Sequence, residues 1–166
     1  MYNINGGSYT MKYMIYNLKD KPEYIEEIAL LTEKEWGKYK DKAELEFKVR
    51  RKIDKISKIL KEDKINYCKL ILVEKNNLIG FISIFPEDGE EEKELTPWYA
   101  TMFVKKEYRG MGYSKILNTA ILEEAQKRGF DKIYLKSNLV NYYEKFGAKY
   151  IKDLQNGEKL YTIYLS

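Results

Sequence analysis

Histidine is absent from this chain, and with it go His-based catalytic triads, most zinc sites and the usual general base at neutral pH. Acid–base chemistry therefore falls to carboxylates, tyrosine, lysine or water. The single cysteine, Cys68, excludes an intrachain disulfide and fits a reducing, cytoplasmic setting. Its apolar neighbours mark it as a buried thiol rather than a nucleophile. No apolar run approaches the roughly eighteen residues of a membrane span, and no signal-peptide pattern opens the sequence. There is no internal repeat, no Walker lysine and no GxGxxG, so nucleoside triphosphate and dinucleotide sites are not expected.

What is present describes one globular domain. The 166 residues are 44% hydrophobic, enough to bury a core without metal or disulfide support. Residues 11–166 are expected to form that domain. The polar stretch 1–10 (MYNINGGSYT) reads as a flexible extension or an alternative start ahead of Met11. The net charge of +4 suits an anionic ligand. The basic residues are scattered and balanced by 26 acids, with no interleaved aromatic-basic motif, which makes nucleic acid a poor partner.

The patterns along the chain give eleven elements in the order β-α-α-β-β-β-α-β-α-β-β. A strand spans residues 12–18, and a helix opens at Pro22 and stops at Gly37. Asp41 caps a second helix, whose apolar residues Val49, Ile53, Ile56 and Leu60 recur every three or four positions. Strands at 67–73 and 78–85 flank a turn centred on Asn76-Asn77. The acidic run Glu87–Glu94 reads as a solvated loop, and 97–104 as a mostly apolar, central strand. A striped helix covers 113–127, and a short strand 132–135 follows. Asn138 is placed to cap a brief helix through Phe146, stopped by Gly147. Strands at 148–151 and 160–165 surround Asn156-Gly157. The fold class is α/β (α+β), with a mixed sheet.

The segment VKKEYRGMGYSKIL (104–117) carries the chemistry. Glycines after a strand and before a helix allow a tight main-chain turn with inward amides, and the helix N-terminus adds partial positive charge. Lys105, Lys106, Arg109 and Lys115 add more. On loop chemistry alone, a plain turn and a phosphate cradle are equally good accounts of it.

The stretch TPWYATMFVKKEYRGMGYSKIL resembles the acyl-CoA-binding motif of the GNAT superfamily of N-acetyltransferases, R-x-x-G-x-G/A. Arg109 and Gly112 match its first two fixed positions, and Ser114 replaces the third. YYEKFGA (142–148) resembles the family's second motif, with Tyr143 at the functional tyrosine. The resemblance implies a mainly antiparallel mixed sheet flanked by helices, with strands four and five splayed at a bulge. It implies that the main chain of Met102, Phe103 and Val104 pairs with the pantetheine arm of acetyl-CoA, one of its amides also steadying the oxyanion. Arg109, Gly110, Met111, Gly112, Tyr113, Ser114 and Lys115 would hold the pyrophosphate, and no metal is involved.

Tyr143 would act as general acid, or position the sulfur, while a neutral primary amine attacks the thioester. The family's cofactor-contacting asparagine falls at Lys136 here. Asn138 lies two residues out of register, as a cofactor contact or simply a helix cap. The usual strand-four glutamate is missing, which leaves Glu35, Glu74 and Asp153 as alternative bases. Trp36 and Trp98 are candidates for the acceptor side, with core packing an equal account of Trp36. The implied activity is acetyl-CoA-dependent N-acetylation of a small-molecule or peptide amine by a cytoplasmic monomer or homodimer. The alternative is an acyl-CoA-binding module without transfer.

Overall fold

Strand alternation and two amphipathic helix patterns build a three-layer arrangement in the computed structural model, which describes residues 13–166. Seven strands, β1 (Tyr13–Asn17), β2 (Cys68–Glu74), β3 (Asn77–Phe85), β4 (Trp98–Val104), β5 (Lys132–Ser137), β6 (Lys149–Asp153) and β7 (Lys159–Tyr164), form one sheet. Their spatial order is β1-β2-β3-β4-β5-β7-β6. Every neighbouring pair is antiparallel except β4 and β5. Helices α1 (Ile25–Trp36) and α2 (Lys42–Glu62) cover one face, and α3 (Tyr113–Lys127) covers the other.

The strand sequences show why both faces are covered. In β2, Ile71 and Val73 join Ile28, Ala29 and Ile56 of the helix pair. The alternate residues Leu70 and Leu72 pack with Leu117 and Ile121 of α3. A strand buried on both sides reads as a near-continuous apolar run, as Leu70–Val73 of β2 and Leu78–Ile82 of β3 do, with Lys69 and Ser83 as buried polar exceptions. Asp41 caps α2 as expected, accepting from the Glu44 amide at 2.8 Å.

Several boundaries differ from the sequence expectation. Pro22 opens a single 3-10 turn, Pro22–Tyr24, and α1 begins only at Ile25. The β2–β3 turn is centred on Lys75-Asn76, both at positive φ, because Asn77 already pairs with Glu74. The brief helix from Asn138 does not form. Only the 3-10 turn Tyr143–Phe146 does, closed by Gly147 at φ 87°. Asn138 caps nothing there, since the turn has no side-chain cap and the Leu139 amide donates to Ser137 Oγ. The expectation for residues 1–10 lies outside the described residues.

Two irregularities at the centre of the sheet create the site. Ala100 pairs with Ser83 and Phe103 with Phe81, so Thr101 and Met102 together oppose the single residue Ile82. This is a β-bulge, with Thr101 at φ 51°. Positive φ is costly for a β-branched residue, so the neighbours must hold it there. Parallel pairing between β4 and β5 is confined to Trp98 and Tyr134, supported by the Tyr134 amide donating to Pro97 O at 3.0 Å. Past that point the two strands part.

Candidate active site

The parting of β4 and β5 opens a cleft of about 550 Å³. One wall is the outer half of β4, Met102–Val104. The floor is the turn into α3, with Arg109, Gly110, Gly112 and Ser114, and Tyr142 and Tyr143 close the far side. The expected wall, turn and tyrosine are therefore brought to one place.

The turn has the form of an anion cradle. Gly110 and Gly112 adopt φ 79° and 84°, and Gly112 is the N-cap of α3. A Cβ at either would meet nothing within 4 Å, so conformation rather than crowding calls for glycine. The first helical carbonyl bonds run from Lys115 and Ile116 back to Gly112 O. The amides of Gly110, Met111, Gly112 and Ser114 donate to no group among the described residues. Those free amides and the α3 dipole give the turn the chemistry to hold an anion. The side chain of Arg109 has a different task. Its Nε donates to Val104 O at 2.8 Å and its guanidinium lies over the Phe103 ring, which fixes the end of β4. Lys105 is likewise committed, to Glu27 at 2.6 Å.

Tyr143 stands where this cleft meets a second one of about 360 Å³, whose lining shares Met102 and Tyr143 with the first. Its ring is gripped edge-on by Tyr142 and Tyr99, with centroids 4.9 and 5.7 Å away. Burial, and then Tyr142, push its hydroxyl up to about 12, so it stays protonated at any working pH. The Tyr99 hydroxyl is buried in the wall of the second cleft, without a protein partner among the described residues.

The second cleft is lined mainly by polar and charged groups. Trp36, Thr101, Asp88, Lys136 and Glu158 line it. Lys136 Nζ donates to Asp88 O at 2.9 Å and sits 3.5 Å from its carboxylate. Gly89 completes the fit, since a Cβ there would come within 2.6 Å of that Nζ and φ is 99°. Burial raises the Asp88 carboxyl above the usual aspartate value, against the pull of Lys136. The acidic run is thus not the plain solvated loop expected. Glu91 accepts from the Gln155 amide and Glu92 pairs with Lys152, docking the loop against the β6–β7 end as the lip of the cleft.

Comparison with known proteins identifies the architecture. Residues 16–148 match the model of the acetyltransferase (GNAT) family. The chain belongs to this family. Among its relatives, the spermine/spermidine N(1)-acetyltransferase of Bacillus subtilis (strain 168) is 29% identical over 103 residues, spanning 57% of this chain and 68% of that one. Two solved structures show the same fold. An aminoglycoside 6'-N-acetyltransferase complexed with coenzyme A has a TM-score of 0.69 at 16% identity, covering 92% of this chain and 97% of that one. An N-acetyltransferase from Thermoplasma acidophilum in complex with coenzyme A has a TM-score of 0.63 at 20% identity, covering 93% and 99%. As a GNAT member the chain is an N-acetyltransferase that draws its acetyl group from acetyl-CoA.

Not every residue singled out in the GNAT motifs reaches the clefts. Trp98 does not line either one. It is a core residue, 1% exposed, packed on Tyr134 and donating from its indole to Leu95 O at 2.7 Å. Asn138 and Met111 are exposed and outside both linings, and Lys115 points to a separate shallow groove with Tyr13 and Glu123. Trp36 is half exposed, edge-on to Phe103, and lines the second cleft, so it is no core residue. Of the alternative carboxylates only Glu35 reaches a cleft, on the cradle side at 3.6 Å from Arg109. Asp153 is taken by Lys159 at 2.7 Å.

Asp88 and Glu158 are the acids that sequence reasoning missed. Asp88 was one acid in a run of many, and Glu158 lies one residue past the Asn156-Gly157 turn. That proximity to a tight turn was the one signal for it.

Proposed function

We propose that this N-acetyltransferase acts on a primary amine of a small polycation, of the polyamine or aminoglycoside kind. The carrying observation is the charge of the second cleft, the acceptor cleft in this reading: Asp88 and Glu158 face it together with one lysine, and that lysine is already engaged by Asp88. A molecule with two or more ammonium groups leaves one carboxylate for binding while another amine approaches Tyr143. The names of the relatives, a spermine/spermidine and an aminoglycoside acetyltransferase, agree with this choice.

When bound, acetyl-CoA supplies a thioester whose carbonyl carbon the amine attacks. The chain's own residues then have separate tasks. Gly110, Met111, Gly112 and Ser114 hold the pyrophosphate through their amides. The bulge turns the Met102–Val104 main chain toward the cleft, where it pairs with the pantetheine arm. Tyr143 donates a hydrogen bond to the departing sulfur, and Trp36 walls off the acceptor. All of these groups come from one chain, so a monomer suffices for turnover. A reducing cytoplasm suits the buried Cys68, whose thiol burial pushes up to about 12.

Thiol release from acetyl-CoA, measured across polyamines, aminoglycosides, amino acids and N-terminal peptides, tests the acceptor class. Polyamines and aminoglycosides are expected to give kcat/KM values about 100-fold above monocationic amines, the worth of one partly buried charge pair. Equal values for a neutral peptide N-terminus would overturn the polycation reading.

A further inference from the structure

Lys69 is the one buried lysine or arginine among the described residues, and the reaction so far leaves it unused. It lies on β2, is 3% exposed, and pairs with no carboxylate within 4.0 Å among the described residues. A buried ammonium without a counter-ion is costly, so its retention needs a reason.

Its surroundings are specific. Nζ donates to Ser83 Oγ on β3 and lies 3.3 Å from Thr101 Oγ1, while the two hydroxyls are 2.7 Å apart. The rings of Phe81 and Phe85 sit 4.9 and 5.5 Å from Nζ. Lys52 and Lys55 approach from α2, and Lys52 is bound to Glu33 at 3.0 Å. Glu87 and Asp88 come from the loop, with Asp88 committed to Lys136, and the neighbouring Cys68 stays a thiol. Burial, and then Lys52, lower the Lys69 ammonium to about 7.

Thr101 is the connection. It is the positive-φ residue of the bulge, and it lines both the cavity of about 450 Å³ at Lys69 and the acceptor cleft. The strained bulge therefore places one residue, whose hydroxyl meets Lys69 and Ser83, in the wall shared by the buried amine's cavity and the second cleft.

We propose that Lys69, acting through the Thr101 hydroxyl, takes up the proton that the acceptor ammonium must lose before it attacks. This rests on the polycation reading above. The ammonium gives a proton to Thr101 Oγ1 as the hydroxyl's own proton moves to the neutral Lys69 Nζ. The freed lone pair forms the C–N bond, the C–S bond breaks, and the sulfur leaves with its electron pair. The second amine proton goes to that sulfur, and Lys69 returns its proton to solvent through its own cavity. Lys69 thereby does the work that a histidine or a β4 glutamate would do elsewhere.

The test is the pH dependence of kcat/KM with acetyl-CoA and spermine. In the wild type it rises to about pH 7 and then stays level to about pH 10, where the amine itself titrates. Lys69→Met and Thr101→Val both lose the plateau and climb toward about pH 10, with at least about 100-fold less activity at pH 7.5. A difluorinated spermine analogue, whose reacting amine is largely neutral at about pH 8, brings both variants within about threefold of wild type. An unchanged plateau in the variants, or an equal deficit with both amines, overturns the relay. Should Lys69→Met fail to fold, Thr101→Val decides alone. A wild type that releases no thiol with any polycation overturns instead the acceptor reading.

Discussion

Replacing Tyr143 by phenylalanine separates proton donation from hydrogen bonding at the leaving sulfur. Both aromatic contacts that hold the ring, to Tyr99 and Tyr142, survive the change, so the variant keeps its fold. The hydroxyl stands at about 12, while an ordinary thiol titrates near about 8.5. Complete proton transfer to the thiolate is then uphill by about 3.5 units, or about 5 kcal/mol. A hydrogen bond to a charged acceptor contributes about 1.5–3 kcal/mol, which is about 10- to 150-fold in rate.

We therefore expect Tyr143→Phe to lower kcat about 10- to 150-fold in a thiol-release assay with both substrates saturating. The KM for acetyl-CoA should move little, because the amide cradle is untouched. A loss below about threefold would refute any contact with the sulfur. A loss beyond about 10⁴-fold, with a basic limb that vanishes in the variant, would show full acid catalysis instead.

Asp88→Asn removes a charge from the acceptor cleft and leaves Lys136 uncompensated; the KM for spermine should rise about tenfold, about 1.4 kcal/mol, and become less sensitive to salt. The two tryptophans should behave oppositely. Trp98→Phe should cost about 1–3 kcal/mol in urea unfolding with unchanged KM values, since it loses core volume and a buried hydrogen bond. Trp36→Ala should raise the spermine KM several-fold and leave the unfolding midpoint nearly in place. The low folded-state value of Lys69 also predicts a pH dependence of stability. Between about 7 and the ordinary lysine value the unfolded chain binds more protons, so wild-type stability rises with pH there. Relative to it, Lys69→Met should be stabilised most below about pH 7, and the advantage should fade at alkaline pH.

The sheet and its three long helices were legible because their signals are local. Asp41 capping α2, Gly129 closing α3 and the apolar run of β2 each follow from a few adjacent residues. The cradle was legible for the same reason, as glycines between a strand and a helix form a contiguous pattern. What stayed hidden depends on contacts distant in sequence. Lys136 engaging Asp88 joins residues 48 positions apart, and only that contact turns a loop acid into part of a cleft. The burial of Trp98 depends on Tyr134 arriving beside it, which its own strand does not announce. The Asn138 cap failed because Ser137 takes the Leu139 amide and the chain continues irregularly to Tyr143. The family resemblance implied a bulge, but its place at Thr101 stayed hidden, since no residue type in YATMF signals positive φ.

The most direct test of the account is the fate of the acetyl group. The protein is incubated with acetyl-CoA and spermine, and released thiol is counted against acetylated spermine by mass spectrometry. One acetylated amine per thiol, with thiol release falling to background when spermine is omitted, is the predicted result. Thiol released at the same rate without spermine, or no acetylated amine with any polycation, would contradict it.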